Sequence, residues 1–327
     1  MATKPIVAVT MGDPAGIGPE IVVRSLVNSQ VRQNTFCHLV GSRSVLEDAC
    51  RRCGLSTAIL DSECVCVEDV EGILAGSYQY GEVSAACGAA SFAYLQRAIE
   101  LAKAGKVHAV ATAPVNKESL RAGSIPFIGH TEIFGALTDT PDPLTLFEVR
   151  NLRVFFLSRH VSLRRACDLV TKERIMDYVR RCTKALRQLG ITEGTMAIAG
   201  LNPHSGEHGL FGNEEMDAIA PAVESLRREG YDVVGPVSAD SVFHLALRGR
   251  YNSVLSLYHD QGHIATKTYD FERTISITCG MPILRTSVDH GTAFDIAGRG
   301  EASAVSMVEA ILTAAKYAPC WKSLAEM

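Results

Sequence analysis

At 327 residues the chain is long enough for two α/β units, and hydrophobic residues make up 47% of it, enough for a large core. The net charge of −4, without a clustered basic run, is not the pattern of a nucleic-acid-binding protein. No run reaches the roughly 18 apolar residues that a transmembrane helix needs, and the N-terminal segment lacks a secretory signal pattern, so we expect no membrane span and a cytoplasmic location.

Strand and helix patterns alternate along the first half of the chain. The apolar run PIVAVTMG predicts a strand, a helical pattern begins within GIGPE, and FCHLVGS precedes another helix. A long helix rich in small residues is predicted to end at Gly105, before the buried strand VHAVATAP. LTLFEVRNLRVFFLS then predicts an antiparallel hairpin with its turn at residues 151–152.

The second half continues the alternation. The longest helix is predicted from about residue 162 to residue 189. Three strands follow, TMAIAGLNPH, YDVVGPVSAD and NSVLSLYHD, separated by helices near residues 214–229 and 240–248. An amphipathic helix closes the chain. This order predicts a mostly parallel α/β fold with one antiparallel section.

The ten cysteines are scattered, without the paired spacing of a zinc finger. Cys37, Cys66, Cys87 and Cys279 lie in apolar patterns, where a thiol packs as a small hydrophobic side chain. We therefore expect free thiols in a reducing compartment.

Three histidines follow predicted strands: His160, His204 and His259. In open α/β sheets, ligands bind beyond the carboxyl ends of the strands. One such histidine alone is often a hydrogen-bonded turn residue. Three at equivalent positions indicate imidazole ligation of a divalent metal ion, provided that the fold brings them together.

The segment GDPAGIGPE, residues 12–20, follows a strand and opens a helix, with Pro19 in its first turn. Its glycines are not spaced as G-x-G-x-x-G, and no acidic residue follows a second strand as that dinucleotide fingerprint requires. A conventional Rossmann site is therefore disfavoured. The simplest interpretation is a tight strand–helix turn in which two backbone segments approach closely.

Six motifs, in order and spread over residues 11 to 298, resemble the 4-hydroxythreonine-4-phosphate dehydrogenase family. They are MGDPAGIGPE, TAPVNK, GHTE, GLNPHSGEHGLFG, YHDQGH and RTSVDHGTAFDIAG. Two of them are also similar to loops of the isocitrate and isopropylmalate dehydrogenase group. The resemblance implies a non-Rossmann, two-lobed α/β/α fold with the active site in the interlobe cleft. It predicts a first lobe of residues 1–137 and 286–327, and a second lobe of residues 138–285 with the metal ligands and dimer contacts.

The resemblance also implies a role for individual residues. It implies a homodimer in which the metal ligands are His160 and His204, with His259 supplied by the other subunit. The residues expected to bind the phosphorylated substrate are His130, Thr131, Lys267, Ser276 and Arg285. The residues expected to line the NAD site are Gly12, Asp289, His290, Gly291, Thr292 and Ala293. No nucleic-acid or membrane partner is expected.

Two segments depart from the biosynthetic enzymes of that family. Ser276 stands where those enzymes carry asparagine, and GHIATKTYDF differs from their usual sequence. The second segment is more similar to the paralogous branch that oxidises D-threonate or D-erythronate 4-phosphate. The departures favour a hydroxyl over an amino group at carbon 2 of the substrate.

The reaction that the resemblance implies is oxidation by NAD followed by loss of CO₂, which converts D-threonate 4-phosphate into dihydroxyacetone phosphate. A divalent cation (Zn, Co or Mg) would stabilise the negative charge that develops on the substrate oxygen. The candidate proton-transfer residues are Lys117, Asp240 and Asp260. Each of the three can instead cap a helix or hydrogen-bond to a ligand histidine.

Three classes of function follow from these patterns. The first is this NAD- and metal-dependent dehydrogenase, acting either on a four-carbon acid phosphate or on 4-hydroxythreonine 4-phosphate in pyridoxal phosphate biosynthesis. The second is a metal-dependent lyase or hydrolase without nicotinamide, and the third is a non-catalytic sugar-phosphate-binding protein. The paired GDPAGIGPE and HGTAFDIAG loops favour the first class over the second, and the histidine set argues against the third.

Overall fold

The computed structural model describes residues 4–321, and strands and helices alternate along them as the sequence predicts. The strands are β1 (Ile6–Thr10), β2 (Phe36–Gly41), β3 (Val65–Asp69), β4 (Ala109–Thr112), β5 (Leu144–Val149), β6 (Leu152–Phe156), β7 (Met196–Ala199), β8 (Val233–Val237), β9 (Ser253–Ser256), β10 (Ile275–Cys279) and β11 (Arg285–Val288). The α-helices are α1 (Gly18–Ser25), α2 (Ser29–Asn34), α3 (Arg43–Arg52), α4 (Ala85–Lys103), α5 (Lys117–Ala122), α6 (His130–Leu137), α7 (Leu163–Asp168), α8 (Lys172–Gln188), α9 (Ala220–Arg228), α10 (Ala239–Leu247), α11 (His259–Tyr269) and α12 (Val305–Tyr317).

One compact unit comprises the described parts of Met1–Pro143 and Ile275–Met327. Its strands lie in the order β3-β2-β1-β4-β11-β10. The pairs are parallel except for β10 and β11. Val7, Ala8 and Val9 of β1 are fully buried, because β1 lies inside a parallel sheet. That burial explains why the sequence of this strand is continuously apolar.

The second unit is Leu144–Thr274. Its strands lie in the order β5-β6-β9-β7-β8, and β5 and β6 form the predicted antiparallel hairpin. Val149 pairs with Leu152, so the turn residues are Arg150 and Asn151, one position earlier than predicted. Arg150 has a positive φ of 55° in this turn. The core of the unit packs side chains of β5, β6, β7, β9 and α10 together.

Three local predictions were wrong. The segment predicted as one helix from about residue 162 to 189 is two helices, α7 and α8, because the Thr171 side chain accepts the N–H of Arg174 and starts a new helix. The longest helix is α4. The predicted second lobe extended to residue 285, but β10 pairs antiparallel with β11 and belongs to the first unit.

All ten cysteines are free thiols. Cys37, Cys87 and Cys279 are buried, as their apolar surroundings in the sequence predict, whereas Cys66 on β3 is partly exposed. Among residues 4–321, no helix is both long enough and apolar enough to cross a bilayer.

Candidate active site and metal ligands

The two loops predicted to line the NAD site contact each other in the first unit. Gly12 has a φ of 71°, and a Cβ there would lie 2.3 Å from the Pro114 carbonyl oxygen, so glycine is required. The N–H of Ile17 donates to the Thr292 carbonyl oxygen at 3.0 Å. The GDPAGIGPE turn is therefore built against the loop that contains residues 289–293.

Two further contacts hold this pair of loops. The buried Glu20 carboxylate accepts the N–H of Gly298 at 2.6 Å, and the Asn116 side chain donates to the Thr292 hydroxyl at 3.4 Å. Ala293 adopts a positive φ of 41°, and the His290 ring is 3.0 Å from the Gly291 carbonyl oxygen. Sequence reasoning missed Glu20 and Asn116, because one carboxylate and one amide carry no spacing signal of their own.

Lys117 is the first residue of α5, directly after Asn116. Its side chain is exposed, at the end of β4 where the cofactor-side loops meet. Position and exposure are compatible with the predicted proton-transfer role.

Arg285 is a buried cation at the start of β11. Its guanidinium donates to the hydroxyls of Thr278 at 2.8 Å and Thr112 at 3.0 Å, and it lies 5.0 Å from the ring centroid of Phe134. Burial lowers its pKa to about 9, which leaves the group charged at neutral pH. Its Nε, also buried, has no hydrogen-bond partner among the described residues. A buried positive charge whose hydrogen-bond partners are neutral hydroxyl groups strongly attracts an anion, because the anion compensates the cost of burying the charge.

His130 lies beside Arg285 at the start of α6. The residue as a whole is partly exposed, but its ring Nε2 is buried and has no hydrogen-bond partner among the described residues. Burial, and then the charge of Arg285, hold its pKa well below the usual value. The ring is therefore neutral at pH 7. The neighbouring Thr131 is also partly exposed.

Acid is expected to destabilise the fold through His130. Because the pKa is lower in the folded state, the unfolded chain takes up the proton first as the pH falls below about 6.5. The stabilisation is fully present above that pH and is lost toward the folded-state pKa, with a slope of at most about 1.4 kcal/mol per pH unit. We expect His130→Gln to flatten the decline in unfolding free energy between about pH 7 and pH 5, measured by urea denaturation. An unchanged slope, equal to that of the exposed control His208→Gln, would contradict a buried neutral ring.

Ser276 lies on the same face of the β10–β11 pair as Arg285. Thr278 pairs directly with Arg285, and Ser276 is two residues from Thr278, so the side chains of all three point to one side. Ser276 is partly exposed. Ser276, the predicted substrate-binding residue that differs from the biosynthetic enzymes, therefore lies on the same face of the strand pair as the buried Arg285.

The three histidines follow neighbouring strands of the second unit. Strands β6, β9 and β7 are adjacent and parallel, so His160, His259 and His204 follow the same edge of the sheet. The ring centroids of His160 and His259 are 5.9 Å apart. Two imidazoles on one tetrahedral ion, with metal–nitrogen distances of ~2.0–2.1 Å, have centroids about 5 Å apart. The separation of these two rings is therefore close to that of two ligands on one ion.

Two neighbouring residues of the second unit, Asp260 and His263, orient the His259 ring. Asp260 Oδ1 is 2.6 Å from its Nδ1, which leaves Nε2 for a ligand. His263 stacks on the His259 ring with centroids 4.1 Å apart, and it packs in turn against Phe147 and Phe156. Burial, with a smaller effect from His259, lowers the pKa of His263 to about 4. Sequence reasoning noticed His263 within YHDQGH but assigned it no role.

His204 lies in a separate, unusual turn. Residues 204–208 all have positive φ angles, and the His204 side chain is 67% exposed. Glu207 Oε2 is 3.3 Å from its Nδ1, so Nε2 of this histidine is the nitrogen left for a ligand. Within one chain, the described residues form no group of three or more His, Cys, Asp or Glu side chains that could hold a metal ion.

The remaining predicted residues lie on two helices. Lys267 follows His259 and His263 at four-residue intervals, on one face of α11, with its ammonium 5.3 Å from the Phe271 ring centroid. Asp240 is exposed in the first turn of α10, a helix that contacts the His204 turn.

Comparison with known proteins identifies the class. Residues 33–314 match the family model described as pyridoxal phosphate biosynthetic protein PdxA. Proteins named "putative D-threonate 4-phosphate dehydrogenase" are 58% identical in Clostridium botulinum (strain Hall), covering 98% of both chains, and 58% identical in Fusobacterium nucleatum, covering 99% of this chain and 100% of the other.

Solved structures give the same answer. A 4-hydroxythreonine-4-phosphate dehydrogenase from Klebsiella pneumoniae superposes with a TM-score of 0.87 at 38% identity, covering 97% of this chain and 99% of that one. One from Burkholderia phymatum gives 0.84 at 36% identity, covering 96% and 98%. The protein is an enzyme of the dehydrogenase class. It belongs to the PdxA family, which confirms the resemblance drawn from the six motifs.

Proposed function

We propose that this enzyme oxidises and decarboxylates a four-carbon hydroxy acid 4-phosphate of the D-threonate type, using NAD and a divalent metal ion and giving dihydroxyacetone phosphate. The observation that carries the proposal is the buried Arg285 guanidinium, beside the neutral His130 ring with its unpartnered Nε2. A phosphate or carboxylate of the substrate matches this charge bidentately. The names of the relatives at 58% identity supply the substrate class.

The residues of the second unit fit a divalent ion. His160, His204 and His259 offer three imidazole nitrogen donors, a set that suits zinc or cobalt and leaves positions open for substrate. Such an ion would supply Lewis-acid stabilisation of charge on the substrate oxygen. Asp260 and Glu207 hold the Nδ1 atoms of their histidines, so we assign Asp260 to orienting His259 rather than to proton transfer.

The protein groups have three tasks around the reacting carbons: holding the cofactor, taking one proton and returning another. The loops at Gly12 and Thr292 would hold the nicotinamide cofactor, whose chemistry when bound is hydride acceptance from the substrate. Lys117 and Asp240 are the exposed candidates for taking the proton from the 3-hydroxyl and returning one to carbon 2 as CO₂ leaves. The position of these residues in a cleft between two lobes stays a prediction of the resemblance.

A homodimer is part of the proposal. Large exposed apolar side chains follow each of the three histidines in the sequence: Val161 and Leu163 after His160, Leu210, Phe211 and Met216 after His204, and Ile264, Tyr269 and Phe271 after His259, the first two of these on α11. Apolar clusters of this kind are typical of subunit contacts. We propose that this surface pairs with a second copy and completes the metal site.

The test is a substrate panel followed at 340 nm with NAD and zinc or cobalt. D-threonate and D-erythronate 4-phosphates should be oxidised, with 4-hydroxythreonine 4-phosphate tolerated. A strong preference for the amino substrate would instead assign the chain to the reaction named for its structural neighbours at 36–38% identity.

Ser276 is expected to set that preference. Its hydroxyl is about one bond nearer the backbone than the polar atoms of the asparagine amide of the biosynthetic enzymes, so the site around Arg285 is roomier and offers a different hydrogen bond. Ser276→Asn should shift the ratio of kcat/KM toward the amino substrate by roughly 1–3 kcal/mol, the value of one buried hydrogen bond. Ser276→Ala, the control, removes the hydroxyl without adding an amide and should not favour the amino substrate. If Ser276→Asn leaves the ratio unchanged, selectivity lies elsewhere, with the 263–270 segment as the next candidate.

A further inference from the structure

The turn that carries His204 has a backbone that its sequence alone does not favour. His204, Ser205, Glu207 and His208 all have φ between 43° and 55°, with Gly206 at 81° between them. For residues other than glycine, the left-handed region costs roughly 1–2 kcal/mol each. Four such residues within five positions persist only if the surrounding structure holds them.

Glu215 is the group beneath this turn. Its side chain is 2% exposed. Oε1 accepts the backbone N–H groups of Leu201 and Asn202, each at 2.7 Å, and Oε2 accepts the Asn202 side-chain amide at 2.9 Å. The carboxylate therefore fixes the two residues that lead into the left-handed run.

The turn also fits closely over Glu215. A Cβ on Gly206 would lie 2.8 Å from Glu215 Oε2 and 3.0 Å from the Gly212 carbonyl oxygen. Glu215 itself opens a single π-helical turn, Glu215–Ile219, an element that is frequent at functional sites. Burial opposes ionisation of Glu215, but the hydrogen bonds from Asn202 and Leu201 outweigh it and lower the pKa, so the acceptor is a carboxylate.

We propose that Glu215 is a positioning residue that holds the left-handed turn in the conformation that presents His204 Nε2 to the metal ion. The inference rests on the proposed metal site. In physical terms, Glu215 holds the turn in the metal-binding conformation before the ion arrives. Without the carboxylate, the turn relaxes to ordinary backbone conformations, and metal binding has to restore the left-handed one. The apparent dissociation constant then rises by the inverse of the fraction of chains in the competent conformation.

The test is a titration of the metal-free full chain with zinc, by calorimetry or competition with a chromophoric chelator. Glu215→Gln keeps the shape but replaces one acceptor oxygen with a donor, so either the backbone N–H groups of residues 201 and 202 or the Asn202 side-chain amide loses its acceptor. We expect zinc affinity to fall about 10- to 100-fold, as for the loss of groups that orient a ligand histidine. Glu148→Gln is the matched control: Glu148 is 4% exposed and pairs with Arg153 at 3.1 Å in the same unit, so its loss should lower stability without changing zinc affinity.

The outcomes separate the inference from the metal site itself. A folded Glu215→Gln that binds zinc as tightly as wild type overturns the inference while the metal site stands. Wild type that binds no zinc, or His204→Ala that binds as wild type does, overturns the metal site and the inference with it. If Glu215→Gln does not fold, Gly206→Ala presses on the same carboxylate and should weaken zinc binding in the same titration. Unchanged affinity in Gly206→Ala would overturn the inference equally.

Discussion

Replacing His204 with alanine should remove the bound metal ion and lower turnover by about a thousandfold or more. The ion would lose one of three protein ligands, and with it the several kcal/mol of charge stabilisation that a Lewis acid supplies, where each 1.36 kcal/mol corresponds to about tenfold in rate. The fold should survive, because the side chain is largely exposed. Elemental analysis and the rate of NADH formation measure the two effects.

His208→Ala is the matched control for this experiment. His208 lies in the same left-handed turn, is exposed, and has the same kind of backbone conformation. It should retain metal and activity. Full activity of wild type after exhaustive chelation, with no metal detected, would contradict the assignment of all three histidines.

Mixtures of inactive variants should recover activity in a pattern that shows which chain supplies each histidine. The resemblance implies that His259 crosses to the other subunit. The 5.9 Å between the His160 and His259 rings of one chain favours these two as ligands of one ion, with His204 coming from the partner. In that arrangement, mixing His160→Ala with His204→Ala gives heterodimers with one intact site, and random pairing restores about a quarter of the wild-type sites.

The choice of pairs makes this experiment decisive. If His259 is the crossing ligand, His160→Ala with His259→Ala recovers activity and His160→Ala with His204→Ala does not. His204→Ala with His259→Ala recovers in both arrangements and is the positive control. If no verified heterodimer recovers, all three ligands come from one chain and the shared site is wrong.

The elements that the sequence predicted well are those with a strong repeating signal. The buried strands β1, β4 and β7 are short, mainly apolar runs, β9 has an apolar centre between two serines, and the β5–β6 hairpin has mainly apolar strands joined by a polar turn. The three histidines were found because each follows such a run. The sequence could not show that the three histidines follow the same sheet edge, because this depends on β6, β9 and β7 being neighbours in the sheet.

Other features depend on contacts between residues distant in sequence. The left-handed turn at His204 could not be predicted, because histidine, serine and glutamate do not favour positive φ, and the turn is held by Glu215. Arg285 begins a β-type segment, and its burial follows from packing against Thr112 and Phe134. The break between α7 and α8 depends on one hydrogen bond from Arg174 N–H to the Thr171 side chain, in a region whose helical pattern is otherwise continuous.

The most direct test of the proposed reaction is the stoichiometry of NADH and CO₂ formed from D-threonate 4-phosphate by the zinc- or cobalt-loaded enzyme. We expect one NADH and one CO₂ for each substrate consumed, and neither product after chelation. NADH without CO₂ would show a simple dehydrogenase. CO₂ without NADH, or equal rates with and without the metal ion, would contradict a metal-dependent oxidative decarboxylation.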